Sequence, residues 1–129
     1  MKGQANGASM TLSAYQAARA RAETPRSAEL RLLGEITGEM MEAEERGLKG
    51  ALLMPPLHRN RQMWDAFSTD CGVAGNGLPR ELRAQIISLA LWVDRFTSDV
   101  IAGRERIREL IEVNRMIMEG LRGPQRAAA

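Results

Sequence analysis

The sequence predicts an all-α fold, a single-domain and elongated helical bundle of about five helices. Apolar residues return every three or four positions in successive stretches, as they must to line one face of a helix with 3.6 residues per turn. No stretch alternates apolar and polar residues as a half-buried strand does. Gly and Pro pairs punctuate the periodic stretches, at Gly47 to Pro56, Gly72 to Pro79 and Gly123-Pro124.

The expected helices run over about 13–22, 25–47, 56–71, 79–101 and 104–121. The second opens with Thr24 as a cap and Pro25 at a first-turn position, where a missing N–H costs nothing. Leu30, Leu33, Ile36, Met40 and Ala43 form its inward stripe, and Glu35, Glu39, Glu42, Glu44 and Glu45 make the other face acidic. Gly47 and Gly50 end it in an apolar linker, Leu52-Leu53-Met54, before Pro55-Pro56. The third repeats at Leu57, Asn60, Trp64, Phe67 and Cys71.

The fourth begins after Gly75-Asn76-Gly77, with Pro79 in its first turn, and its main stripe is Leu82, Ile86, Leu89, Val93, Phe96 and Val100. Ala84, Ile87 and Leu91 occupy the opposite side, so this helix is apolar nearly all round and calls for several neighbours or a partner. The fifth repeats at Ile107, Leu110, Ile111, Asn114, Ile117, Met118 and Leu121, and Gly123-Pro124 stops it. Helices of about 23 residues span roughly 35 Å, which suits a long, narrow core.

Residues 1–9 read as a flexible leader or tag with Met10 a candidate start, 10–122 as the helical domain and 123–129 as a flexible tail. Neither a secretory signal nor an 18-residue apolar run occurs, and the single cysteine, Cys71, cannot form an internal disulfide. These features place the expected protein in the cytoplasm, with no membrane insertion. The net charge is only +2, and aromatic residues are 4% of the chain, too few for a platform that stacks successive bases. Nucleic acid is therefore a disfavoured partner.

Catalysis and cofactors find little support. His58 is the only histidine and sits well round the helix from Cys71, so the two are badly placed to act as base and nucleophile. The glutamates of the second helix lack the histidines that carboxylate metal sites in bundles use. No phosphate loop or dinucleotide fingerprint is present, and Gly72 to Gly77 follows a helix where such a fingerprint follows a strand. No catalytic, metal-binding or cofactor-binding residue is assigned.

What the residues do suggest is binding. Met41, Met54 and Met116 lie off the main stripes, where soft unbranched side chains adapt to apolar partners; core filling is the competing reading. Trp92 lies about 80° from the centre of its helix's main stripe, a position for either an interface anchor or burial between helices. The expected contact surface is Ile87, Leu91 and Trp92 with Leu52, Leu53, Met54, Met41 and Met116. Asn60 and Asn114 fall on inward stripes, and each buried amide needs partners, which makes both candidate structural ties between helices.

Several segments carry a resemblance: Ser13-Ala14-Tyr15-Gln16, Glu23-Thr24-Pro25-Arg26, Asn60-Arg61-Gln62-Met63-Trp64, Gly75 to Val93 and Val113-Asn114-Arg115-Met116-Ile117-Met118. In this order, from about Leu12 to Leu121, the chain resembles the FlaF family of flagellar biosynthesis regulators. The leader before Met10 and the tail after Gly123 match nothing in that pattern. The resemblance implies a non-enzymatic protein that binds flagellin in the cytoplasm, serves its production and secretion as chaperone or adaptor, and acts opposite FlbT, a regulator that restrains flagellin translation. Contact with FlbT, direct or through flagellin, is part of that expectation. Two alternatives stand beside it: a post-transcriptional regulator acting on flagellin mRNA through Arg104, Arg106, Arg108, Arg115, Arg122 and Arg126, and a homodimeric regulatory scaffold. The interleaved Glu105, Glu109, Glu112 and Glu119 argue for a solvated, paired face rather than an RNA-binding one.

Overall fold

A computed structural model describes residues 25–122 of the chain. Among them the order is α1 (Pro25–Glu45), one 3-10 turn (Gly50–Leu53), α2 (Met54–Cys71), α3 (Arg80–Ile101) and α4 (Arg108–Arg122). The described residues thus hold four helices where the whole chain led us to expect about five, and they hold no strand. The expected helix over 13–22 and the Thr24 cap lie outside the described residues.

Short loops make each helix antiparallel to the one before it. Arg59 pairs with Glu39, Arg61 with Asp94, and Leu82 lies against Gly120, which fixes the levels of α1 to α4. Neighbouring pairs are α1 with α2, α2 with α3, α3 with α4 and α1 with α4. That ring leaves α1 diagonal to α3 and α2 diagonal to α4, with the seam between α3 and α4 packed less closely than the other three.

The core follows the expected stripes on three helices. Leu33, Ile36, Met40 and Ala43 are buried on α1, with Leu30 only half-buried; Leu57, Asn60, Trp64, Phe67 and Cys71 are buried on α2. Leu110, Ile111, Asn114, Ile117 and Leu121 are buried on α4, and Met118 is half-buried against them. Each fully buried large apolar side chain contributes about 1.5–3 kcal/mol from removal of its surface from water.

On α3 the structure corrects the sequence reading. The buried line is Ile86, Ala90, Val93, Thr97 and Val100, whereas Leu82, Leu89 and Phe96 are only half-buried. At 100° per residue this turns the inward face by about 40° from the expected stripe. The cause is the close packing of α3 on α2: small Ala90 suits the contact, and Thr97 enters because its Oγ1 donates to the Val93 carbonyl at 2.6 Å. Large size alone does not decide which side of an apolar helix faces in.

Element ends also shift. α2 begins at Met54 rather than 56, because both prolines fit within a first turn that needs no N–H from them. Pro79 stands just before α3, with extended backbone, and not inside its first turn. α4 begins at Arg108 instead of 104. Gly103, at φ +79°, reverses the chain so that the Arg104 and Glu105 N–H groups return to the Asp99 carbonyl at 2.9 and 3.3 Å. The Arg104 guanidinium also donates to Asp99 Oδ1 at 2.8 Å, and these residues finish α3 before a new helix can start.

The expected polar ties are in place at the centre. Asn60 and Asn114 are fully buried, as is Thr37 on α1. Asn114 Nδ2 donates to Asn60 Oδ1 at 2.8 Å and to Thr37 Oγ1 at 3.1 Å, while Trp64 Nε1 donates to Asn114 Oδ1 at 2.8 Å. Thr37 Oγ1 in turn donates to the Leu33 carbonyl at 2.6 Å. One amide on α4 therefore joins α1 and α2 at a single level, which fixes their register.

Candidate functional site

The surface of α3 away from the core carries the expected second face. Leu91 is 67% exposed and Ile87 40% exposed, one turn apart on the outward side. A Leu in water on a helix interior carries no folding benefit, so this ridge is a candidate contact.

On another side of α3, about 100° round from Leu91 even at its nearest residue, Trp92, lies a larger apolar feature. Leu82, Leu89 and Phe96 recur at seven-residue intervals along the side of α3 that faces α4, and Trp92 projects next to them. The Trp92 and Phe96 rings stack with centroids 4.5 Å apart and planes 22° from parallel. Across the seam Val113 of α4 is half-buried, and Gly120 is so close that an added Cβ would meet Leu82 Cδ1 at 3.2 Å. The helices touch at the Gly120 end and leave Leu89, Trp92, Phe96 and Val113 only partly covered. The result is an apolar seam with an aromatic stack along it.

The remaining expected contact residues are dispersed. Leu53 is buried, only 8% exposed, because the 3-10 turn folds it into the core; it is not available to a partner. Leu52 and Met54 are exposed, but they lie at the end of the bundle where α1 finishes and α2 starts, roughly 15 Å along the axis from Leu91. Met41 on α1 and Met116 on α4 are exposed as expected, Met41 on the helix diagonal to α3. Trp92 is half-buried. The structure therefore gathers Ile87, Leu91 and Trp92 on one helix and leaves the others apart. Sequence reasoning missed Leu89, Phe96 and Val113 as surface residues. The first two belonged to the expected core stripe, and Val113 fell between the stripe positions of its helix.

Two further openings complete the apolar surface. A cavity of about 600 Å³ lies where α1 and α3 end, with Leu53, Val100 and Ile107 among its lining and Glu44, Lys49, Glu105 and Arg106 at its edges. A second, of about 330 Å³, lies between α1 and α2 near the opposite end.

The polar surface is largely self-paired. Arg108 donates to both carboxylate oxygens of Glu44, at 3.0 and 3.1 Å, and this pairing raises its already high pKa. Arg31 pairs with Glu35 at 3.1 Å, Arg46 with Glu42 at 3.7 Å, Arg59 with Glu39 and Arg122 with Glu119 at 3.3 Å. The acidic face of α1 thus docks arginines from its own helix, from α2 and from α4. Among the described residues no three His, Cys, Asp or Glu side chains stand together as metal ligands.

Cys71 is buried at the end of α2. Burial pushes its thiol up to about 11, with Glu29 and Asp70 adding to the effect and Arg83 opposing it. His58 sits in the first turns of the same helix, roughly 20 Å away along the axis. A protonated, enclosed thiol that far from an imidazole has neither the charge nor the reach of a nucleophile.

No described helix is long and apolar enough to cross a membrane. Comparison with curated proteins and with solved structures finds no match. Comparison with protein families does: the family described as flagellar protein FlaF matches residues 11–121, which takes in the four described helices but for Arg122, the buried Asn60 and Asn114 and the seam between α3 and α4. Because the match takes in most of the chain, this protein belongs to the FlaF family of flagellar proteins.

Proposed function

We propose that this chain is a non-enzymatic regulator that binds flagellin in the cytoplasm, acts as chaperone and adaptor for its synthesis and export, and opposes the translational regulator FlbT. The observation that carries this reading is the partly covered seam of Leu89, Trp92, Phe96 and Val113, with Ile87 and Leu91 exposed on a separate side of the same helix. A seam between two helices accepts the apolar side of a third, whose anchors recur at i, i+3, i+4 and i+7. Amphipathic helical segments of a filament subunit have to be kept from associating before export, and capture in such a seam covers their adhesive side. Trp92 stacked on Phe96 is a large, rigid contact of the type that dominates binding energy.

The self-paired arginines weigh against the RNA reading. Arg104, Arg108 and Arg122 already engage Asp99, Glu44 and Glu119, so a phosphate backbone would have to displace those carboxylates.

The test is size-exclusion chromatography with light scattering on the purified chain, alone and mixed with monomeric flagellin from the same organism. A one-to-one complex is expected, and it should be lost in a Leu91→Asp, Trp92→Ala variant that keeps its helical circular dichroism. A folded variant that binds at full strength would remove this surface. Absence of any complex at tens of micromolar would remove the reading itself, and co-purification of RNA with a steep salt dependence would favour the messenger alternative.

A further inference from the structure

The ridge on α3 is a different surface from the seam, and the charges around it suit one occupant. Ile87 and Leu91 are exposed at its centre, about 40° apart round the helix. We propose that a second copy of this chain docks here, the two α3 helices lying antiparallel across a two-fold axis at the level midway between Ile87 and Leu91. This role of the ridge is independent of the flagellin reading.

Self-complementarity favours a second copy over any other partner. A two-fold interface sets one patch against itself, so the patch has to be its own complement about the axis. The apolar centre meets that condition: antiparallel pairing at this level packs Ile87 of each copy on the partner's Leu91, and the contact occurs twice. Ala84 and Ser88, small and exposed beside them, let the two helices approach closely.

The charges meet the same condition. On the edge of the ridge nearer α2, Arg80 and Arg83 precede the apolar centre and Asp94 follows it; Arg83 and Asp94 are about three turns apart and so share one line of the helix. Asp65 of α2 adds a second carboxylate at the Asp94 end, since it lies one turn from Arg61, which donates to the Asp94 carbonyl at 2.6 Å. Arg61 also holds Asp94 Oδ1 at 3.1 Å, so this end sets two carboxylates against one guanidinium. At the other end Arg80 and Arg83 make no ion pair among the described residues. On the far edge the order is reversed, with Glu81 first and Arg95 last, and these two also make no ion pair among the described residues. An antiparallel copy brings Arg83 to the partner's Asp94 and Glu81 to the partner's Arg95, so opposite charges meet along both edges. A parallel copy would set like against like.

The size of the patch fixes the strength. Each copy supplies about ten side chains, against about 20–30 on each side of a standard interface. The association is therefore weak and reversible, with a dissociation constant of order tens of micromolar. Leu89 lies on the opposite side of α3 from the ridge, so the seam keeps its opening in the dimer.

Sedimentation velocity of the full-length chain, from about 2 to about 500 µM, tests this. The mass is expected to rise with concentration from 14.3 kDa towards twice that value. Leu91→Asp, at an exposed position, should weaken self-association at least tenfold while keeping its helical circular dichroism. Arg83→Glu and Asp94→Arg should each weaken it alone, and an equimolar mixture of the two variants should regain it, because both contacts between positions 83 and 94 then join opposite charges again. A chain that stays at 14.3 kDa over the whole range would overturn the proposal. So would a dimer that a folded Leu91→Asp variant leaves intact, or folded charge variants that the mixture does not rescue. Flagellin capture is read separately, with flagellin added, so failure here leaves that reading standing.

Discussion

Asn114 on α4 donates its amide to Asn60 on α2 at 2.8 Å, across the diagonal of the bundle. Asn114 also takes Trp64 Nε1 and gives to Thr37, so it makes three buried bonds, while Asn60 Nδ2 makes none among the described residues. The pair is unequal, and the inequality is measurable. Asn114→Leu strands the Trp64 donor and the Asn60 acceptor and is expected to cost about 2–4 kcal/mol, at about 1–3 kcal/mol for each buried group left unpaired. Asn60→Leu leaves the bonds from Asn114 to Thr37 and from Trp64 to Asn114 intact and should cost less, about 1 kcal/mol. Urea denaturation of both single variants and the double variant, read as a cycle, checks the order and the coupling.

Gly38 lies within α1, solvent-exposed, with nothing within 4 Å of where a Cβ would stand. Gly38→Ala is therefore expected to stabilise the chain by about 0.5–1 kcal/mol through reduced backbone entropy in the unfolded state. Gly120→Ala, whose Cβ would meet Leu82 Cδ1 at 3.2 Å, should gain less or lose, because the seam must open to admit it. Thermal melts of the two variants side by side decide this.

Cys71 gives the fold a pH dependence in the alkaline range. Its thiol is held protonated up to about 11 in the folded chain, against an ordinary value of 9.0. The folded state therefore binds more protons than the unfolded one between these values, so stability falls as pH rises through that window and is fully present below it. The loss attributable to this group is of order 2–3 kcal/mol by pH 11. Comparing the pH slopes of stability for wild type and Cys71→Ala isolates it. Alkylation at pH 8 should be slow in the native chain and fast in denaturant.

Leu91 is mostly solvent-exposed, so Leu91→Asp should change stability by no more than about 0.5 kcal/mol. Ile86→Asp, one and a half turns away at a fully buried position, should unfold the bundle. Circular dichroism of the pair separates the contact face from the core face before any binding is measured.

Much of this was legible in the residues themselves. Leu33, Ile36, Met40 and Ala43 on α1, and Leu57 to Cys71 on α2, declared their inward stripes by spacing, because on these helices one side is apolar and the other charged. The inward position of Asn60 and Asn114, and their need for partners, followed from the same spacing. That Asn114 meets Trp64, Asn60 and Thr37 did not, since the levels of separate helices are set by loop geometry and packing.

For α3 the sequence left the choice open. With Leu82, Leu89 and Phe96 on one side and Ile87 and Leu91 on another, several orientations bury similar apolar area, and periodicity alone selects none of them. Tertiary packing chose the line of Ala90 and Thr97, where small side chains suit the tight contact with α2, and so left the Trp92 and Phe96 stack partly open to water. Leu53 was likewise decided by the fold, drawn inward by a 3-10 turn that no periodicity announced. The sequence by itself determined an all-helical chain, its core stripes and its family pattern. Which apolar face remained for a partner depended on how closely the backbones approach, a property of the packed helices together.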